Sequence, residues 1–266
     1  MGLLIESGES AWTTVHVQLR VIGALMLRDV RTRFFGVAVG FLIAIAWPLA
    51  NILILLGINT IADRAVPFGE SAALWFATGL VPYTAFNYMS RFIMLGLVLN
   101  KPLLGYPIVK PMDLLLARAV LEVLSAGLVA TMMMLIYAML DIPFLPSDPL
   151  QALAAMGASM LLGLGFGLIN GVIAGLYPFW ITGYALFAII MWIASGVMIV
   201  PDSLPETARY WLSFNPALQG VEWMRSAYYD GYGSGVLDKP YMLTFAICAV
   251  FGGFVLERAM RGQILK

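Results

Sequence analysis

The stretch from residue 150 to residue 200 reads LQALAAMGASMLLGLGFGLINGVIAGLYPFWITGYALFAIIMWIASGVMIV and contains no charged residue. A helix needs roughly 20 consecutive apolar residues to cross the hydrocarbon core of a bilayer. The stretch is long enough for two crossings, and the tight link 175–180 separates them. It therefore predicts membrane-spanning helices over 150–174 and 181–200.

The rest of the chain is equally apolar. Of its 266 residues 61% are hydrophobic and only 11% are charged, and the mean hydropathy is +0.90. We therefore predict a single all-α integral membrane domain over 1–266 with six transmembrane helices. Spans one to five lie within 36–200, at 36–61, 72–95, 114–140, 150–174 and 181–200, and span six covers 241–256. Six spans leave room only for loops and tails, which excludes a large soluble domain.

Lysine and arginine indicate the orientation of the spans. Most of the 15 Lys and Arg residues lie in the N-terminal segment, in the link between spans two and three, and in the C-terminal tail. This bias predicts a multi-pass protein with both termini in the cytoplasm. The 15 Asp and Glu residues balance the positive charge, and nothing in that balance indicates a nucleic-acid partner.

The N-terminal segment 11–35 has a helical, amphipathic pattern. Its apolar residues recur at spacings of three and four: Val15, Leu19, Ile22, Met26 and Val30. Four arginines lie mostly on the other side: Arg20, Arg28, Arg31 and Arg33. Such a helix lies along a bilayer surface with its cations among the headgroups. The segment therefore predicts an interface helix, the alternative being a flank that only orients the first span.

The segment 201–240 is too long for a simple turn and is rich in aromatic residues. Ser203 to Glu206 has the pattern of a capping box that opens a short helix. Asn215 and Pro216 predict the N-cap and first turn of a second helix, which ends near Tyr229. We expect a periplasmic re-entrant helical hairpin here, with an aromatic belt on the outer interface as the alternative.

Charged and small residues within the helices favour structural roles. Glu222 and Arg225 are three apart and can pair along one face of the second hairpin helix. Arg118 and Glu122, four apart, are expected to pair near the cytoplasmic end of span three, and a role in relaying motion is the alternative. Span four carries glycines at intervals of four: Gly163, Gly167, Gly171 and Gly175. They favour close packing within one subunit, and a subunit interface is the alternative.

No catalytic signature occurs in the sequence. It contains no Walker-type phosphate loop, no HExxH and no GxSxG motif, and its acidic residues are scattered. The single histidine, His16, excludes a His-clustered metal site, and the only cysteine, Cys248, is expected to pack within an apolar run. The chain is therefore predicted to be non-catalytic and to carry no cofactor.

Several ordered motifs resemble one family of transporters. They are Arg31-Thr-Arg-Phe-Phe-Gly, Trp47-Pro48, Gly79-Leu-Val-Pro-Tyr83, Asn100-Lys-Pro-Leu-Leu-Gly-Tyr-Pro-Ile-Val-Lys-Pro-Met-Asp113, Ala117-Arg118 with Glu122, and Asn215-Pro-Ala-Leu-Gln-Gly-Val-Glu-Trp-Met-Arg225. In order and spacing they look like the permease subunit of ABC-type polysaccharide exporters, in the capsular-polysaccharide branch. The resemblance extends over nearly the whole chain.

The resemblance implies partners and a cargo. Permeases of this kind form homodimers with two copies of a separate ATP-binding subunit, which holds the ATP and Mg. The complex exports a lipid-linked capsular polysaccharide across the bacterial inner membrane. In Gram-negative capsule systems, periplasmic and outer-membrane capsule export proteins complete the route.

The resemblance also assigns roles to residues. The first helix and the link between spans two and three contact the ATPase, which implies coupling roles for Arg28, Arg31, Arg33, Asn100, Lys101, Pro102, Leu103, Leu104, Gly105 and Tyr106. The hairpin gates the periplasmic side, which implies gating roles for Tyr210, Trp211, Phe214, Glu222, Trp223, Arg225 and Tyr228.

Aromatic rings in the spans suggest a path for the cargo. Ring faces suit sugars because they are apolar and tolerate neighbouring hydroxyl hydrogen bonds. The candidates in spans one and five are Trp47, Tyr184, Phe187 and Trp192. A path with few fixed charges would let a long polymer slide. Packing in the core or against lipid is the alternative for each ring.

Three alternative functions remain open at the level of sequence. The first is an exporter of the same architecture for O-antigen, a teichoic acid or a drug, which only the lining residues and the cargo would distinguish. The second is an ion-coupled carrier, for which spans five and six lack a mid-membrane acid. The third is a membrane-embedded transferase, which the missing carboxylate cluster disfavours.

Overall fold

The computed structural model describes residues 11–33, 46, 49–54, 57–58, 61, 67–69 and 71–265. The regular elements of this part are all helical. We number its main helices α1 (Ala11–Arg33), α2 (Ala72–Leu99), α3 (Pro111–Met139), α4 (Pro149–Leu176), α5 (Trp180–Ile193), α6 (Glu206–Ser213), α7 (Pro216–Tyr228) and α8 (Lys239–Ile264). Short 3-10 turns occupy Lys101–Gly105 and Pro201–Ser203.

Three of the described helices, α3, α4 and α8, are long and apolar enough to cross a membrane. The predicted third and fourth spans therefore match helices closely, and α8 is longer than the predicted 241–256. Helix α2 has 28 residues and contains Pro82. The predicted first span, 36–61, falls largely outside the described residues, as does the position of Trp47.

The fifth predicted span is shorter than expected. Helix α5 ends at Ile193 after 14 residues, a rise of only about 21 Å, and does not continue to Val200. The chain turns at Gly196, whose φ is +71°, a conformation that glycine adopts without steric cost. The side-chain amide of Asn215 donates to the carbonyl oxygen of Ala194 at 2.9 Å, so a distant helix satisfies a backbone group that α5 leaves open.

Polar residues next to proline begin several helices. The Asp148 carboxylate accepts from the backbone N–H groups of the second and third residues after it, both at 3.1 Å. The Asp238 carboxylate caps α8 by accepting from the backbone N–H of Tyr241, and Asn215 caps α7 as predicted. The predicted capping box at Ser203 is wrong: α6 begins after Pro205 without a side-chain cap, and the Ser203 hydroxyl donates to a carbonyl oxygen of its own turn.

Helix α4 is the centre of the described structure and packs on α2, α8 and α7. A Cβ added at Gly163 would lie 2.8 Å from the carbonyl oxygen of Phe86 on α2, and one at Gly167 would lie 2.7 Å from Ile93 Cβ. Gly165, which lies outside the predicted row, comes equally close to α8. The glycines therefore let backbones approach within one subunit, which confirms the packing interpretation.

Helix α1 packs against α3. Leu25 is buried, and Ile22 and Met26, which belong to the predicted apolar face, pack on the same cluster. Leu19, on the same predicted face, is 58% exposed, whereas the charged Asp29 is buried. Asp29 is buried where it reaches an arginine on α3, a partner that the pattern of α1 alone does not reveal.

Cys248 lies on the exposed face of α8. The expectation that it packs inside the protein is therefore wrong. An apolar run facing lipid has the same composition as one facing a core, so hydropathy did not distinguish the two.

Replacing Gly163 with alanine tests the close contact between α4 and α2. The new Cβ meets backbone, which cannot rotate away, so we expect Gly163→Ala to lower the unfolding free energy by about 1–3 kcal/mol. Gly157→Ala is the matched control, because nothing lies within 4 Å of a Cβ at that position of the same helix. The measurement is the thermal unfolding midpoint in detergent. Equal midpoints for the two variants would contradict the packing described.

Candidate functional site

The hairpin region is anchored by a buried ion pair. Glu222 and Arg225 on α7 are fully buried and form the ion pair that their spacing predicted. Arg225 Nη1 lies 2.9 Å from Glu222 Oε1. The Arg225 guanidinium also donates to the carbonyl oxygens of Gly196 and Val197 at 2.9 and 3.0 Å. Multiple hydrogen bonds of this kind are what make a buried charge tolerable.

Two aromatic side chains complete this cluster. The Arg225 guanidinium lies over the Trp75 ring on α2, 4.0 Å from its centroid, a favourable cation–π distance. The Tyr232 hydroxyl donates to Glu222 Oε2 at 2.8 Å. Burial and the neighbouring Glu222 carboxylate raise the pKa of Tyr232, so the hydroxyl keeps its proton. The cluster thereby joins α7, the loop after it, α2 and the end of α5.

Gln219 holds the two ends of the hairpin together. Its side-chain nitrogen donates to the carbonyl oxygens of Ser213 and Val236 at 2.7 and 2.9 Å. Its side-chain oxygen accepts from the backbone N–H of Asp238 at 2.7 Å. Gln219 is buried, and this one side chain links the end of α6 to the start of α8. Gln219 stands within the motif 215–225, but its spacing to charged neighbours gave no sign of this role.

The predicted gate residues separate into two groups. Tyr210, Trp211 and Phe214 are exposed, and their rings contact one another at the end of α6. Trp223 is instead buried, and its indole N–H donates to the side chain of Gln151 on α4 at 2.8 Å. Tyr228 is half-buried against the same core. Trp223 thus packs within the subunit together with Glu222 and Arg225.

At the opposite end, α1 is joined to the link between α2 and α3. Arg28 Nη1 donates to Asn100 Oδ1 at 3.0 Å. Lys110 Nζ donates to the side-chain oxygen of Gln18, also at 3.0 Å. These two bonds connect α1 to both ends of the link. Of the predicted coupling residues, Arg28 and Asn100 are therefore brought together, whereas the side chains of Arg31 and Arg33 lie outside the described part.

A second buried arginine lies beside this link. Arg118 on α3 is 3.3 Å from Glu122, as predicted, and 3.4 Å from Asp29 on α1. Its guanidinium lies 5.3 Å from the centroid of the Phe92 ring on α2. Two carboxylates therefore share one guanidinium between three helices. The contribution of Asp29 was missed because no spacing within α1 indicates a partner on α3.

The link itself presents a mixed surface. Leu103 and Leu104 are half-buried and pack against the cluster below α1. Tyr106 is 63% exposed and Ile108 is 57% exposed. Lys101, Pro102 and Gly105 are exposed as well. Ile108 was not among the predicted residues, although it stands between the prolines of the same segment.

The predicted path residues lie on two sides of α5. Tyr184 is buried, and its hydroxyl is 2.6 Å from the Ser90 hydroxyl on α2. Trp192 is half-buried, and Phe187 is 41% exposed on the side that faces α4 and α8. Tyr184 and Trp192 line a groove of about 460 Å³ between α2 and α5. Arg91 lines it too.

No group of three or more His, Cys, Asp or Glu side chains that could hold a metal ion occurs in the described ranges. The polar clusters are instead ion pairs, each built around one arginine. Such clusters fix helices relative to one another.

Comparison with known proteins agrees with this arrangement. The family model for the ABC-2 type transporter matches residues 19–229. The chain is 32% identical over 251 residues to the polysialic acid transport protein KpsM of Escherichia coli, covering 94% of this chain and 97% of that protein. It is 25% identical over 260 residues to the capsule polysaccharide export inner-membrane protein CtrC of Neisseria meningitidis serogroup B, with 95% and 96% coverage.

A further relative has the same description. The capsule polysaccharide export inner-membrane protein BexB of Haemophilus influenzae is 23% identical over 217 residues, covering 81% of this chain and 82% of that protein. The part matched by the family model contains α2 to α7 and most of α1. The chain therefore belongs to the ABC-2 type transporter family, among the permeases of capsule polysaccharide export.

Proposed function

We propose that this chain is the permease subunit of an exporter that moves lipid-linked capsular polysaccharide from the cytoplasm across the inner membrane. The observation that carries the proposal is the end-to-end similarity to KpsM, at 32% identity. CtrC and BexB are both named as capsule polysaccharide export inner-membrane proteins, which supports a capsular polysaccharide as the cargo and the inner membrane as the location. The sequence lacks a phosphate-binding loop, so the energy comes from ATP and Mg bound by a separate subunit.

The test of this proposal is loss and restoration of the capsule. Cells that lack the chain should keep the polysaccharide inside, and the plasmid-borne chain should return it to the surface. Immunolabelling of intact and permeabilised cells distinguishes these locations. Normal surface polysaccharide in the deletion strain, with loss of O-antigen, a teichoic acid or drug efflux instead, would assign the chain to another cargo.

The transporter is proposed to contain two copies of this chain and two ATP-binding subunits. Each copy has six spans and cytoplasmic termini, an arrangement supported by the positive charges of the N-terminal segment, the link and the tail. The first span is proposed from sequence alone. Periplasmic and outer-membrane capsule export proteins would receive the polymer.

A label in the loop after α7 tests the orientation. Gly233→Cys places a thiol at an exposed position, and a Cys248→Ser background removes the native thiol. We expect a membrane-impermeant maleimide to label this cysteine from the periplasm, whereas a reporter fused after Lys266 reads as cytoplasmic. Labelling only after the inner membrane is broken would reverse the proposed orientation.

The link between α2 and α3 is proposed to dock on the ATP-binding subunit. Tyr106 and Ile108 provide an exposed apolar surface with two prolines near them, and proline restricts the backbone there. The Arg28–Asn100 hydrogen bond would let α1 and the link move together. Leu103 and Leu104 support this surface from behind.

Tyr106→Asp tests the docking surface without disturbing the packed leucines. We expect recovery of the ATP-binding subunit on affinity purification to fall by about tenfold, because a carboxylate must be desolvated against an apolar partner. Leu145→Asp is the matched control, since Leu145 is also exposed but lies in the turn between α3 and α4. Recovery unchanged in Tyr106→Asp would remove the link from the docking role.

The exposed face of α6 is proposed to close the periplasmic side. Tyr210, Trp211 and Phe214 form an apolar surface that can meet the same surface of the second copy. Below it, the Glu222–Arg225 pair holds α7 in place. In this proposal the exposed rings on α6 move during gating, whereas α7 stays fixed through its buried residues Glu222, Trp223 and Arg225.

A reversible crosslink tests the gate. We expect Trp211→Cys in the Cys248→Ser background to crosslink the two copies under oxidation and to stop export, because the exposed faces then cannot separate. Reduction should restore export. Gly233→Cys is the control for a hairpin position away from the aromatic face. Efficient crosslinking at position 211 with full export would show that this face does not gate the path.

A further inference from the structure

A polar strip runs along one side of α2. Tyr83, Asn87 and Arg91 follow one another at intervals of four residues, which places them on the same side of a helix. All three line the groove of about 460 Å³ between α2 and α5, opposite Tyr184 and Trp192. The groove therefore has a polar wall and an aromatic wall.

Arg91 differs from the buried arginines of the protein. Arg118 and Arg225 are buried in ion pairs, whereas Arg91 is exposed to the groove. Among the described residues no carboxylate forms a salt bridge with Arg91. Arg91 lies about 12 Å along the helix axis from the end of α2 at Leu99. A cation at such depth is costly unless it faces water or a partner.

The neighbours of Arg91 determine what the groove can bind. The Tyr83 hydroxyl donates to the carbonyl oxygen of Ala188 at 3.0 Å, and the Tyr184 hydroxyl is bonded to Ser90. These two hydroxyls are already engaged, so their rings offer apolar surface. The free donors on the polar wall are the guanidinium of Arg91 and the amide of Asn87.

This combination matches a negatively charged sugar or lipid phosphate. A guanidinium presents a planar fork of N–H donors that fits two oxygens of one carboxylate or phosphate. The Asn87 side chain lies one helical turn away and can donate to the same group. The Trp192 ring on the facing helix provides a surface of the kind that packs against sugar rings.

We propose that Arg91 and Asn87 bind an oxyanion of the exported molecule in the groove between α2 and α5. The oxyanion is a carboxylate of an acidic sugar or the phosphate of a lipid anchor, and both have the same recognition chemistry. The inference rests on the proposed function, because it names the charged group that the same path accepts. One cation in each subunit holds the cargo briefly, which is compatible with a polymer that keeps moving.

Three probes distinguish the sources of the oxyanion. The complex with its ATP-binding subunit is placed in phosphatidylcholine nanodiscs and titrated with fluorescent lysophosphatidic acid, hexaglucuronate or uncharged maltohexaose. Arg91→Gln should weaken binding of one or both anionic probes by about tenfold, the loss typical of a charge-assisted hydrogen bond. Loss for lysophosphatidic acid indicates a lipid phosphate, and loss for hexaglucuronate indicates a sugar carboxylate. Maltohexaose binding should stay unchanged.

The variants separate a local site from general charge and from misfolding. Arg91→Lys keeps the cation and should bind within about threefold of the wild type. Asn87→Leu should weaken the same probe as Arg91→Gln, and it keeps the charge. Arg258→Gln is the matched control, because Arg258 is an exposed arginine on α8 away from the groove. Each variant is first checked for assembly with the ATP-binding subunit.

Two results would overturn the site. The first is equal binding of both anionic probes by the wild type and Arg91→Gln, as expected if Arg91 only reaches toward headgroups. The second is an equal loss in Arg258→Gln, which would indicate general charge attraction. Capsule export by the wild type is measured in parallel. If the wild type exports and Arg91→Gln matches it in export and binding, the oxyanion site fails while the proposed function stands. If the wild type does not export capsule, the proposed function fails first.

Discussion

Close approach of helix backbones is the constraint on which this structure depends. Lipid is as apolar as a helix surface, so helices associate in a bilayer through packing rather than through the hydrophobic effect. Helix α4 meets this requirement with glycine on two sides, at Gly163 and Gly167 toward α2 and at Gly165 toward α8. Without side chains at these positions, α2 and α8 lie near enough to α4 for their remaining residues to interlock. Helix α7 packs on this group, and α2 also provides one wall of the groove.

Two arginine clusters stabilise opposite ends of the group, and α2 takes part in both. Arg225 lies over Trp75 near the start of α2, and Arg118 lies over Phe92 near its end. Each guanidinium also has a carboxylate on its own helix. One cluster lies beside the segment 201–240, and the other lies beside the link between α2 and α3. Helix α2 is the element that contacts both, and the groove lies along it.

Local features of the sequence determined much of this arrangement. Apolar runs indicated α3, α4 and α8 because a membrane span needs a fixed length of apolar residues. Asn215 followed by proline indicated the start of α7, since a cap acts on the first turn. The pairing of Glu222 with Arg225 and of Arg118 with Glu122 also followed from spacing, because residues three or four apart are neighbours on a helix. Each of these inferences uses residues within about one or two turns of each other.

The tertiary structure decided which other parts of the protein these local features contact. Hydropathy gave no sign that α5 ends at Ile193. The carbonyl oxygens just after this end accept hydrogen bonds from the side chains of Asn215 and Arg225, at the start of α7 and within it. It also could not distinguish Trp223, buried against α4, from Trp211 on the surface. The ion pair between Asp29 and Arg118 joins α1 and α3, which are far apart in the chain. Periodicity specifies which residues share a face, but only packing specifies which surface that face contacts.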